Sequence, residues 1–104
     1  MKTNVKRENG VLLLRLSGEL DHHAARESME EIENQIERSL PRDCAMDLRD
    51  LAFMDSSGIA LILKTYRRMN EIGGRLWVQN VQKQPMRVLE ASGIERIVSV
   101  SPAE

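Results

Sequence analysis

A chain of 104 residues with fifteen basic and sixteen acidic side chains carries a formal net charge of −1, so no overall field draws it to nucleic acid or to an anionic membrane. One domain accounts for the length, since a chain of this size buries roughly two-thirds of its unfolded surface. The longest unbroken aliphatic run, Ile59 to Leu63, falls far short of the roughly twenty residues that span a bilayer, and Met1-Lys2-Thr3-Asn4 lacks the apolar core of a secretory signal, so a soluble, cytoplasmic domain is expected.

The chain opens on an alternating segment from Thr3 to Glu8, then Asn9-Gly10, then Val11 to Leu16. Asn-Gly supplies two residues that tolerate positive φ, which predicts strand, type I′ turn, strand. Leu12, Leu14 and Leu16 share one face of the second strand and Val11 and Leu13 the other, as expected of a strand internal to a sheet. Ser17 to Asp21 reads as a loop, with Asp21 as N-cap of a helix from about His22 to Ser39. Ala25, Met29, Ile32, Ile36 and Leu40 fall at helical spacing, and Glu27, Glu30, Glu31, Glu33 and Glu37 make a solvated face. Pro41, which lacks an N–H and restricts its predecessor, ends that helix.

Cys44 to Leu48 reads as a short strand, followed by a loop through Arg49-Asp50-Leu51 to Asp55. Cys44 is the only cysteine; it excludes an internal disulfide or a thiolate cluster and reads as a buried small hydrophobe. The segment Asp55-Ser56-Ser57-Gly58 leads into a second helix with Ile59, Ile62, Leu63, Tyr66, Met69 and Ile72 inward and Lys64, Arg67, Arg68 and Glu71 outward. Gly73 suits the left-handed position just beyond its end. Arg75 to Val78 forms another strand, with Leu76 and Val78 opposite Trp77, which reads as core or sheet-face packing. Pro85 fits the first turn of a third helix that Gly93 closes, and Ile97 to Val100 returns as an edge strand. This alternation predicts a single α/β domain over residues 1–104, with a mixed sheet of four or five strands, an N-terminal β-hairpin and about three helices packed on it.

In open α/β sheets functional groups collect in loops beyond the carboxyl ends of strands. The segments holding Asp21 and Ser56 both follow strands and precede helices, so they share one edge of the molecule if their strands are parallel neighbours. A serine at a helix N-terminus sits among unpaired N–H groups and the positive end of the helix dipole, where a phosphate is favoured. The plain alternative is capping, for which serine is well suited. One arrangement satisfies both: Ser57 caps the helix, and Ser56, one step outside, keeps its hydroxyl free.

Other chemistries fit less well. A hydrolytic triad would join Ser56 to His22 or His23 as base and to Asp21 or Asp55 as orienting acid, but Ser56 lacks the Gly-x-Ser-x-Gly elbow. His22 and His23 are adjacent and point about 100° apart on a helix, so they do not chelate one metal ion. No phosphate-binding Gly-x-x-x-x-Gly-Lys loop is present, and no cofactor is expected.

Gly18-Glu19-Leu20-Asp21-His22-His23, Asp50 to Gly58, Gly73-Gly74 and Ala91-Ser92-Gly93-Ile94 together resemble the anti-sigma factor antagonists of the STAS-domain family, most closely the sporulation branch. The resemblance spans nearly the whole chain. It implies a cytoplasmic regulator, not an enzyme, that binds an anti-sigma factor with serine kinase activity and so releases a sigma factor. It further implies that this kinase inactivates it by phosphorylating Ser56 and that a serine phosphatase restores it. Asp21, His22, His23, Asp55, Ser56, Ser57 and Gly58 are the implied partner-binding residues. Where relatives commonly carry glycines after Asp-Ser-Ser-Gly, this chain has Ala60 and Lys64, which raise helix propensity. An antagonist in a general stress response, or a STAS subunit of a membrane transport assembly, is the alternative.

Overall fold

The computed structural model describes residues 1–104. Strands β1 (Lys2–Glu8) and β2 (Val11–Leu20) form the expected antiparallel hairpin, and Asn9 and Gly10 take φ of 53° and 80° at its turn. Helix α1 (His22–Ser39) follows, then β3 (Asp43–Asp47), β4 (Leu51–Met54), α2 (Ser56–Glu71), β5 (Arg75–Val81), α3 (Lys83–Ser92), a 3₁₀ turn (Ile94–Arg96) and β6 (Ser99–Pro102). The sheet runs β1-β2-β3-β5-β6, and β4 pairs only with β2. Every pairing after the hairpin is parallel.

The sheet therefore has six strands, not four or five. The added strand, β4, and an extension of β2 both come from segments read as loops. Ser17 to Leu20 prolongs β2 beyond its pairing with β3, across an irregularity at Gly18/Glu19, and offers that extension to Leu51–Met54. Nothing local marks these four residues as a strand; their partner does.

Leu12, Leu14 and Leu16 of β2 are fully buried, with Cys44 and Met46 of β3 and Val78 of β5 beside them in register. Ile32 and Ile36 of α1, Ile62 and Met69 of α2, and Leu89 of α3 complete the same core. Cys44 is thus a core side chain, and burial pushes its thiol pKa up to about 12. The buried stripe of α2 is turned from the expected one: Gly58, Leu61, Ile62, Thr65 and Met69 are buried, while Ile59, Leu63, Tyr66 and Ile72 are only half-buried. The helix meets α1 as well as the sheet, which draws Leu61 inward.

Leu40 also departs from expectation. It leaves the apolar stripe of α1, takes the left-handed conformation at φ 42° as the C-cap, and is 65% exposed. Pro41 ends the helix, since the residue before a proline is disfavoured in the right-handed α region, and Leu40 closes it with its N–H on the Ile36 carbonyl. No helix is long and apolar enough to cross a membrane.

Candidate functional site

β2 and β4 are parallel neighbours, with Leu20 beside Met54. The next residue of each chain segment is an aspartate, and each aspartate starts a helix. Asp21 is the N-cap of α1: its carboxylate accepts from the Ala24 N–H at 2.9 Å. Asp55 is the N-cap of α2: its Oδ1 accepts from the Ser57 N–H at 2.8 Å. The Asp55 N–H in turn donates to the Leu20 carbonyl at 3.2 Å, tying the start of one helix to the strand that feeds the other. The two helix N-termini therefore stand side by side at one edge of the sheet, as their strand–helix context predicts.

The cap assignment corrects the sequence reading. Asp55, not Ser57, caps α2, so both serines lie inside its first turn. A carboxylate outcompetes a hydroxyl here because its charge meets the positive end of the helix dipole as well as a free N–H. Consequently Ser56 is exposed, Ser57 is half-buried and donates its backbone N–H to the cap, and neither hydroxyl is needed to close the helix.

Gly58 is buried rather than presented to solvent. A Cβ at this position would lie 2.5 Å from Met54 Cγ and 2.7 Å from its Sδ, and the Met54 side chain is fully buried. The glycine is thus needed for close packing of the first turn of α2 over β4. Its absent side chain lets the turn that carries Ser56 seat closely on Met54.

His22 and His23 are exposed in the first turn of α1. His22 and Ser57 lie at one end of a groove of about 500 Å³ between α1 and α2, floored by Ala25, Met29 and Leu61 and walled by Glu30, Glu33 and Lys64. Arg68, read from sequence as outward-facing, closes part of the helix pair by donating to Glu37 at 2.6 Å. The Asp21 pKa is lowered, chiefly by the hydrogen bond from the Ala24 N–H, so the first helix keeps a charged carboxylate at its head at neutral pH.

A second polar cluster lies beneath the turn between β3 and β4, and sequence reasoning missed it. Asp47 is 4% exposed; it accepts from the Arg49 N–H at 2.9 Å, from Asn80 Nδ2 at 2.9 Å and from Gln79 Nε2 at 3.2 Å. Burial raises its pKa, but these three hydrogen bonds and Arg15 outweigh burial and leave it lowered. The cluster fixes the turn that leads into β4.

A family model described as the STAS domain matches residues 2–104. The chain belongs to the STAS-domain family. Among relatives, it is 35% identical over 96% of its length, and 86% of the other chain, to a protein of Paenibacillus polymyxa named anti-sigma F factor antagonist. Among solved structures, it resembles the anti-sigma factor antagonist SpoIIAA in its unphosphorylated form, with a TM-score of 0.83 and 27% identity over 95% of this chain and 87% of that one. The Bacillus cell fate determinant SpoIIAA in its phosphorylated form matches with a TM-score of 0.72 and 27% identity over 95% and 90% of the two chains. The single α/β domain with its N-terminal hairpin and three helices is therefore the STAS fold, and these relatives support the sporulation branch of the family.

Proposed function

We propose that this STAS domain is a cytoplasmic anti-sigma factor antagonist switched by phosphorylation of Ser56. Unphosphorylated, it binds an anti-sigma factor with serine kinase activity through the paired helix N-termini, Asp21 to His23 and Asp55 to Ser57, and the sigma factor is released. Phosphorylation by that kinase ends the interaction, and a serine phosphatase restores it.

The observation that carries this reading is the exposure of Ser56 in a helical first turn already capped by Asp55. Modification of its hydroxyl removes no hydrogen bond that holds the helix. The product is favoured by the helix terminus, so the fold tolerates it. An interface closed over the site does not. Phosphate adds about −1.5 to −2 charge and three acceptor oxygens, beside Asp55, and a partner that buried the neutral serine must desolvate that charge. Each 1.4 kcal/mol so lost is about tenfold in affinity.

The hydrolytic reading loses support because the rings of His22 and His23 bond neither Ser56 nor an aspartate side chain. Asp21 and Asp55, its candidate orienting acids, bond their own helix starts instead, so the base–orienter contact a triad requires is not formed. The test is incubation with candidate anti-sigma kinases and ATP, followed by mapping of added phosphate by mass spectrometry. A single phosphate on Ser56, with loss of the complex, is expected. Phosphate elsewhere, or a complex unaffected by it, would refute the switch.

A further inference from the structure

β4 is four residues long and pairs on one side only. Because the Asp55 N–H donates to the Leu20 carbonyl, and successive residues of a parallel ladder direct their backbone groups to opposite edges, the N–H and C=O of Met54 face away from β2. Both are met there by one side chain from the first turn of α3. The Met54 N–H donates to Gln84 Oε1 at 2.8 Å, and Gln84 Nε2 donates to the Met54 carbonyl at 3.0 Å. The carboxamide stands where another strand would. Two residues earlier, at the N-cap of α3, Gln82 Nε2 donates to the Arg49 carbonyl at 2.6 Å, so the start of α3 holds both the turn before β4 and the last residue of β4.

Met54 matters because both supports of the first turn of α2 depend on it. It immediately precedes the Asp55 cap, and its buried side chain lies against Gly58. We infer that Gln84 is a positioning residue for Ser56, acting through Met54 to fix the turn from which the hydroxyl is presented to the kinase. The inference rests on the reading of Ser56 as phosphate acceptor.

The test compares the full chain with Gln84→Ala, Gln84→Glu and Val5→Ala. Val5→Ala is a control that trims a half-buried side chain of β1. Residue-resolved amide exchange comes first. In Gln84→Ala, Met54 loses its acceptor directly, but the deciding amides are Ser57 and Gly58, whose hydrogen bonds go to Asp55 and not to Gln84. These are expected to exchange about tenfold faster, the scale of one or two lost hydrogen bonds. They stay at wild-type rates in Val5→Ala. Phosphorylation kinetics come second: kcat/KM at Ser56 is expected to fall about three- to tenfold in Gln84→Ala. Gln84→Glu falls between, because it keeps the acceptor but sets a carboxylate against the Met54 carbonyl. Wild-type exchange at Ser57 and Gly58, wild-type phosphorylation of Gln84→Ala, or an equal loss in Val5→Ala would overturn the inference. If the wild-type chain takes no phosphate at Ser56, the switch itself fails, and exchange alone decides whether Gln84 holds the turn.

Discussion

Ser56 and Ser57 are neighbours of the same type that differ in exposure: Ser56 faces solvent and Ser57 is half-buried. Asp55 takes over capping and frees both hydroxyls, and the exposed one, on Ser56, can change without unwinding α2. Ser56→Ala is therefore expected to fold normally and bind the anti-sigma kinase whether or not ATP is present, while Ser56→Asp binds at least tenfold more weakly. Titration calorimetry of both variants checks this, and equal affinities would contradict it. Gly58 offers a second test at this scale. In Gly58→Ala the new methyl meets Met54 side-chain atoms at 2.5 to 3.0 Å inside a filled core, an overpacking cost of about 1–3 kcal/mol. For a domain of this size that lowers Tm by about 4–8 °C per kcal/mol, measurable by thermal unfolding. The dipeptide Ser-Gly was legible in the sequence; that the glycine packs on Met54 was not, because Met54 is brought under it by the strand it ends.

At the level of elements, α1 ends on a residue ill suited to its conformation. Leu40 holds a left-handed backbone and is largely exposed, whereas glycine adopts that conformation without a Cβ penalty. Leu40→Gly is expected to leave stability unchanged or raise it by up to about 1 kcal/mol, read from the urea midpoint. A loss beyond about 1 kcal/mol would mean that the side chain packs more than its exposure indicates. The periodicity of α1 placed Leu40 in the core, and the stop signal at Pro41 was also visible. Their conflict is resolved sterically, in favour of proline. β4 teaches the complementary lesson. Four residues between polar turns carry no reliable period, and their strand character comes from β2 on one side and Gln84 on the other.

For the whole molecule, Asp47 joins the turn before β4 to β5 through Gln79 and Asn80. Its carboxyl pKa lies below the ordinary value in the folded state, so the unfolded chain binds the proton more readily. The stability it contributes is complete above the unfolded value, about 3.9, and is lost as pH falls through the folded one. Asp47→Asn is expected to cost about 1–3 kcal/mol at neutral pH and to flatten the loss of stability below pH 4, measured by urea denaturation across pH 2–7. Cys44 reports on the same global integrity: with its thiol buried and its pKa raised to about 12, it should resist alkylation at pH 7 until the domain unfolds.

The sequence by itself determined the hairpin, the order of helices and strands, the two aspartates ahead of helices and the serine pair at a helix start. Those features rest on turn chemistry, hydrophobic period and capping, which act between residues a few positions apart. Tertiary structure alone decided that β4 is a strand and that Gln84 reaches back thirty positions to Met54. Such contacts depend on which segments the topology sets side by side, and no local preference encodes that adjacency.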